Sequence, residues 1–423
     1  MLPSVLALPL RRSAWPPVPA RYWALADQGL VSGTTFLTNL FVARGLGLSI
    51  FGEFSAWQMG LLLLLAVQGA LITQPMQVVL ATVPAAHRPA YRRALLELQA
   101  AFGVGAAGLA VGAGLLLRPQ AGAVLVAFLV YLGAATLQDT VRKLLLAEDR
   151  VPLALLTDAV SCGGQLLVLL GWAATGRAAT LPAVFWVMGL TTLPALALGL
   201  PALLRGPAAG PGWRAVVRQH WPQARWLLPT ALLQWSSGNV LLVLAGLSTP
   251  LATLGILRLA QTIMGLFNVG LQAAENYVLP RLSQSRQRSE AEFRRQRARL
   301  TRLMLGLAAG PLLALALLAE PLVRWVQSQE AAHSSVLRWC CLLYVVILLV
   351  YPLRLTVRLL PSARPYFVGY ALSIGFSVLS ARWLLTHYQA TGVVLGWIGA
   401  QLVLGLYWSL ILSRRPSFQQ PHG

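Results

Sequence analysis

The stretch LRLAQTIMGLFNVGLQAAENYVL, residues Leu257 to Leu279, is apolar enough to cross a bilayer, yet it sets Arg258, Gln261, Gly265, Asn268, Gln272 and Glu275 three or four residues apart. On a helix these positions form one polar stripe with a charge at each end. At ~1.5 Å per residue the stripe runs roughly 25 Å, most of the hydrocarbon thickness of a membrane. Charged and amide groups facing lipid cost about 2–3 kcal/mol each. The stripe must therefore face protein or a wet cavity, which points to a translocation path.

The rest of the chain agrees with a membrane setting. Its 423 residues are 57% hydrophobic and 11% charged, with a mean hydropathy of +0.67, a composition of polytopic membrane proteins. The first twenty residues carry an apolar run broken by Arg11 and Arg12, so no cleaved signal is expected. The formal charge of +21 comes from arginines spread among loops, not interleaved with aromatics on a soluble module, so no nucleic-acid partner is expected. Cys162, Cys340 and Cys341 lie in apolar segments without metal or redox spacing. No metal and no cofactor are expected. His87, His220, His333, His387 and His422 fall in loops or span ends, with no acid pair or phosphate loop beside them. They form no catalytic constellation, so the chain is not expected to be an enzyme.

Apolar windows of helical length number about twelve. They lie near 22–43, 54–74, 94–117, 121–140, 152–174, 181–203, 226–247, 255–279, 303–321, 336–354, 366–386 and 391–412. The expected fold is all-α and integral to the membrane, with both termini on the cytoplasmic side. In that orientation most of the 33 Lys and Arg residues fall in inner loops, including Arg142 and Lys143, as the positive-inside rule requires. The organisation expected is a cytoplasmic segment 1–20, a six-helix bundle 21–204, a linker 205–225, a second six-helix bundle 226–412 and a cytoplasmic tail 413–423. An interfacial helix around Trp213, Val217 and Trp221 should occupy the linker. Ser289 and Glu292 form a capping-box pattern after the eighth span.

Shifted by 204 residues, the chain pairs Arg21 with Arg225, Ser32 with Ser236, Gln68 with Gln272 and Ala70 with Ala274. Pro75 and Pro280 align with one inserted residue. Spans one and two thus read as a copy of spans seven and eight. Six spans between equivalent points implies a pseudo-two-fold axis along the membrane normal.

The same four spans hold most of the intramembrane amides. Gln28, Ser32, Thr35 and Asn39 make a second stripe in the first span, with Asp27 beside it; Gln68, Gln234 and Asn239 add to the set. The expectation is a common cavity lined by spans one, two, seven and eight, although any single amide could instead join helices by hydrogen bonds. Arg44 and Arg258 lie toward the outer ends of their spans, Asp27 and Glu275 toward the inner ends. Arginine suits a phosphate because its planar fork donates two parallel hydrogen bonds and stays charged. Snorkelling of Arg44 to the interface, or pairing of Arg258 with a carboxylate, would serve structure instead. Asp27 and Glu275 could bind a coupling H⁺ or Na⁺, or form salt bridges.

Several segments resemble bacterial polysaccharide-export flippases of the Wzx type, in the multidrug/oligosaccharidyl-lipid/polysaccharide (MOP) superfamily that also holds the MATE transporters. They are Ala26-Asp27-Gln28-Gly29-Leu30-Val31-Ser32-Gly33, Ala43-Arg44-Gly45-Leu46-Gly47, Phe51-Gly52-Glu53-Phe54, Gln138-Asp139 with Arg142-Lys143, Leu233 to Asn239, and Ala274-Glu275-Asn276 with Leu279-Pro280-Arg281. The resemblance implies a MATE-like V of two six-helix bundles and a polyprenyl-pyrophosphate-linked oligosaccharide as substrate, moved across the inner membrane for surface polysaccharide or lipopolysaccharide assembly. Arg44 and Arg258 would then hold phosphate, and Gln28, Ser32, Thr35, Asn39, Gln68, Gln234, Asn239, Gln261, Asn268 and Gln272 would line the cavity or meet sugar. Implied partners are this lipid-linked substrate, a coupling H⁺ or Na⁺, membrane lipids and polysaccharide-assembly proteins. A cation-coupled multidrug antiporter of the same fold and a non-transporting assembly scaffold are the alternatives. An anionic inner mouth opposes an anionic substrate unless its carboxylates are neutralised.

Overall fold

The computed structural model describes residues 20–176, 179–206, 212–265, 267–268, 290–326, 334–360 and 364–413. Among these, nine helices are long and apolar enough to cross a membrane. The first bundle contains α1 (Ala20–Leu46), α2 (Leu48–Gln68) running through a π-helical turn Gly69–Thr73 into α3 (Gln74–Thr82), α4 (Arg88–Leu117), α5 (Gly122–Ala147), α6 (Val151–Thr175), α7 (Leu181–Leu190) and α8 (Thr192–Leu203). The second contains α9 (Trp213–Ser248), α10 (Leu251–Gly265), α11 (Glu290–Leu317), the short α12 (Ala319–Val326), α13 (Ser334–Arg358) and α14 (Arg364–Ser413). The expected spans coincide with helices among the described residues, with 181–203 divided between α7 and α8, 303–321 running over α11 and α12, and 255–279 described only as far as Asn268; the architecture is the all-α membrane fold that the hydropathy pattern predicts. Gln272, Glu275, Asn276, Pro280 and Ser289 lie outside the described residues.

Two expected spans, 366–386 and 391–412, share α14, whose helical geometry breaks at Gln389 (φ 46, ψ −121). They fold back on each other. A Cβ on Gly399 would meet the Phe376 ring, one on Gly369 would meet Trp408, and the Trp408 indole N–H donates to the Pro365 carbonyl at 3.2 Å.

The linker departs from expectation. No separate interfacial helix precedes the seventh span; α9 is continuous over 36 residues. At ~1.5 Å per residue that is about 54 Å, well beyond the hydrocarbon thickness. Its first turns dock on the first bundle through Val216, His220 and Ala224, whereas Trp213 and Trp221 stay exposed. His220 is locked there. Its Nδ1 lies 3.3 Å from the Leu71 carbonyl within the π-helical turn, and its Nε2 lies 2.7 Å from the Tyr91 hydroxyl. A carbonyl only accepts, so Nδ1–H donates to Leu71, while the Tyr91 hydroxyl, which can donate or accept, holds Nε2 from the other side.

The distribution of the core fixes the shape. Call the end where α1 begins the near face and the end where it finishes the far face. On the far side one apolar cluster runs through both bundles, joining Phe51, Phe54 and Phe185 of the first to Leu241, Leu254, Leu343 and Val393 of the second. On the near side the cores are separate. Ile72, Tyr91, Leu144 and Leu203 pack in the first bundle, and Val357, Tyr370, Leu404 and Trp408 in the second. Among the described residues the bundles are thus joined by a shared core at the far face and parted at the near face except where the foot of α9 meets the first bundle.

At the far-face junction α2 and α10 cross at Gly52 and Gly255. A Cβ on Gly52 would collide with the Leu251 carbonyl, and a Cβ on Gly255 with the Leu48 carbonyl. The contact is reciprocal, as at a two-fold interface, and it relates Leu48 to Leu251 and Gly52 to Gly255. The sequence repeat therefore has a structural counterpart, one residue shorter here than the 204-residue offset read further along the spans. Glycine is required because the backbones touch, the geometry in which small residues let membrane helices approach.

Gly52→Ala and Gly255→Ala should each destabilise this closed arrangement by about 1–3 kcal/mol through overpacking. The expected readout is a lowered melting temperature in detergent. Gly103→Ala, whose Cβ would meet nothing within 4 Å, should melt like wild type.

Candidate functional site

α1 has two polar faces with different work. Asp27, Thr34 and Thr38 are buried on the face that packs against α6, where Gln165 donates to the Thr38 hydroxyl at 2.6 Å. Gln28, Ser32, Thr35 and Asn39 lie on the other face, Gln28 and Thr35 exposed and the other two half-buried. Gln28 donates to Ser32 within its own helix at 3.0 Å, and Thr35 returns its hydroxyl proton to the Val31 carbonyl at 2.9 Å. Asn39 shows where the row points, because its Nδ2 donates across to Thr262 of α10 at 3.1 Å. The α1 stripe therefore faces the gap between the bundles.

α10 meets it with the residues one turn above and around Thr262. Leu254, Leu257, Leu259 and Ala260 are buried in the shared core, which leaves Arg258, Gln261, Thr262 and Gly265 on the half-open side. The Thr262 hydroxyl donates to the Arg258 carbonyl at 2.8 Å, and Arg258 Nη1 donates to Gln261 Oε1 at 2.9 Å. Among the described residues no carboxylate pairs with this guanidinium. Asn39, Arg258, Gln261 and Thr262 thus form one polar cluster under the far-face closure. Thr262 had no part in the sequence reading, although its spacing of four from Arg258 places it on the same face. Asn268 lies three residues beyond the end of α10, exposed and within hydrogen-bond reach of Tyr344.

Other predicted residues sit elsewhere. Gln68 does not line a cavity. It is fully buried and donates to the Thr136 carbonyl at 2.9 Å and the Thr140 hydroxyl at 2.8 Å, so it ties α2 to α5. Arg44 ends α1 exposed, its guanidinium 4.4 Å from the centroid of the Trp325 ring on α12; no described contact joins it to Arg258. Gln234 is exposed on α9, and Asn239 returns its amide to the Trp235 carbonyl at 2.9 Å.

Asp27 is turned away from the gap into an ion cluster inside the first bundle. Arg142 of α5 pairs with Asp27, and its Nε lies 2.6 Å from Asp158 of α6. Gln138 donates to Asp158 at 3.2 Å. Both aspartates are almost fully buried. Asp27 Oδ1 and Gln138 Oε1 lack hydrogen-bond partners. Two carboxylates against one guanidinium leave one net negative charge. Arg142, counted from sequence among the inner-loop cations, is here a half-buried counter-ion to two buried aspartates. Asp158, missed from sequence, was visible as a lone carboxylate in the apolar run Val151–Thr175, which demands a partner.

Breaking such a cluster on one side costs about 3–5 kcal/mol. Arg142→Gln should therefore lower the melting temperature and membrane abundance sharply. Arg142→Gln combined with Asp27→Asn and Asp158→Asn should recover most of the loss, because no charge is left uncompensated.

No family model matches the chain, and no curated protein matches it by sequence. Solved structures do match. The lipid II flippase MurJ in an inward closed conformation superposes with a TM-score of 0.72 at 11% identity, covering 94% of this chain and 88% of that one. A MATE multidrug transporter of the MOP superfamily matches in its inward-facing form with a TM-score of 0.69 at 13% identity, over 93% of this chain and 98% of that one. An outward-facing MATE structure gives 0.61 at 15% identity, over 93% and 96%. The chain therefore has the fold shared by MurJ and the MATE transporters.

Proposed function

We propose that this protein flips a lipid-linked, phosphate-bearing oligosaccharide across the bacterial inner membrane by alternating access, with both termini cytoplasmic. The observation that carries the reading is Arg258, a cation in the far half of a membrane helix with no carboxylate partner among the described residues. A permanent cation at that depth needs an anion, and a phosphate or pyrophosphate arriving through the gap would supply one with bidentate, charge-assisted hydrogen bonds. Around it Gln28, Ser32, Thr35, Asn39, Gln261 and Asn268 offer amides and hydroxyls of the kind that bond sugars.

The cytoplasmic side would be the near face, where the bundles part and where a substrate made inside the cell must enter. Asp27 does not line that mouth, because it is turned away from the gap onto Arg142 inside the first bundle. The opposition between inner carboxylates and an anionic substrate is thereby reduced. The lipid tail would stay in the bilayer at the slot between bundles while the head group crosses. MurJ, whose structure is that of a lipid II flippase, offers a precedent for a lipid-linked substrate on this fold. Arg44, at the far end of α1, would receive the phosphate as the far face opens.

One observation favours a second reading. The Asp27–Arg142–Asp158 cluster carries one uncompensated charge, suited to a proton, and an antiporter exchanging H⁺ for a drug would use such a site. In the flippase the same cluster would couple H⁺ to the return step.

The test is complementation of a deletion strain, with surface polysaccharide and membrane protein level both measured. Wild type should restore the polymer, Arg258→Ala and Arg258→Gln should fail at normal protein level, and Arg258→Lys should restore part of it. Normal polymer in the deletion strain together with altered drug susceptibility would favour the antiporter. Tolerance of every cavity substitution would favour a scaffold.

A further inference from the structure

On the flank of the molecule, α2 and α4 of the first bundle and α9 of the second enclose a groove of about 880 Å³. Its walls are apolar, with Trp57, Leu109, Leu117 and Leu247 among them, and Thr249 to Leu251 close its far-face end. From Leu247 down to Trp235 along α9 it runs roughly 18 Å at ~1.5 Å per residue. That is about the hydrocarbon depth of one leaflet.

Two opposite charges stand on this otherwise apolar surface. Glu53 lies half-buried just over one turn into α2, and Arg118 is exposed immediately after α4. Neither side chain forms an ion pair or hydrogen bond with a described residue, and the two do not pair with each other. A half-buried carboxylate beside apolar walls is costly unless a cation answers it. A nearby unpaired arginine equally asks for an anion.

We infer that the groove binds a zwitterionic aminophospholipid of the far-face leaflet. Its phosphate rests on Arg118, its primary ammonium donates to Glu53, and an acyl chain lies along α2, α4 and α9. Charge complementarity selects this occupant. An anionic phospholipid would satisfy Arg118 but set a second negative charge against Glu53, and so would the pyrophosphate of a transport substrate. A choline head group carries the positive charge but has no N–H to donate. Because one wall belongs to the second bundle, the lipid would rest between both and hold the closed far face. This inference concerns a resident lipid and does not depend on what the protein transports.

The test uses the full chain purified in detergent, incubated in turn with phosphatidylethanolamine, phosphatidylglycerol and phosphatidylcholine of identical acyl chains, with retained lipid counted by native mass spectrometry. Wild type should retain one phosphatidylethanolamine with about tenfold preference over both others, the factor one charge-assisted hydrogen bond supplies. Glu53→Gln should abolish the preference while still retaining phospholipid, and Arg118→Gln should weaken retention of all three. Arg324→Gln, on the same face but paired with Glu320, should behave as wild type. Equal retention of the three lipids by wild type would overturn the proposal even if no variant could be purified. Preference for phosphatidylglycerol would overturn it too, and would mark the groove as a path for anionic lipids. An unchanged preference in Glu53→Gln would refute the ammonium contact.

Discussion

A guanidinium inside a membrane cannot shed its charge, so something must answer it. Arg142 and Arg258 show the two ways this protein does so. Arg142 is closed in by Asp27, Asp158 and, through Asp158, Gln138, and joins three helices of the first bundle. Arg258 reaches only the Gln261 amide among the described residues and borders the gap between bundles. The first cation is spent on the fold, while the second remains available to a ligand. On the proposed function, that difference separates a structural charge from a substrate-binding one where residue type alone does not.

The shape of the molecule follows from where its backbones can touch. Gly52 and Gly255 let α2 and α10 meet at the far face, and the shared apolar core continues that contact through both bundles. Toward the near face the cores divide, and among the described residues it is the foot of α9, pinned by His220 to Tyr91 and Leu71, that reaches across. A far-face closure made of two glycines and a reciprocal pair of carbonyls is one that two rigid bundles can break and remake without unpairing helical hydrogen bonds. This suits a rocking motion.

Much of this was legible in the sequence. Hydropathy located the spans that the described residues cover, and helical spacing gave the α1 stripe and the described part of the α10 stripe because period alone decides which residues share a face. Period does not say which neighbour that face meets. Gln68 reads from sequence like Gln28, yet it is buried against Thr136 and Thr140 while Gln28 stays exposed. Asp27 adjoins Gln28 in sequence, and the ~100° turn between successive helical residues sends it to Arg142 instead of the gap. Arg142 looked like a loop cation because it lies near a span end, and its role depends on Asp158, a partner sixteen residues away across a turn. The crossing glycines fall outside the 204-residue register of the sequence repeat, and close approach is a property of two helices together that cannot be read from either one.

The central claim is that Arg258 holds the phosphate of a lipid-linked substrate, and direct binding tests it. Purified protein would be titrated with a polyprenyl-pyrophosphoryl saccharide and with a neutral polyprenyl glycoside of the same sugar, for wild type and for Arg258→Gln. The account predicts that wild type prefers the pyrophosphate by at least about tenfold, the worth of one charge-assisted contact, and that Arg258→Gln, melting normally, loses this preference while binding the neutral glycoside unchanged. Equal binding of the two lipids by wild type, or a preference that survives in Arg258→Gln, would contradict it.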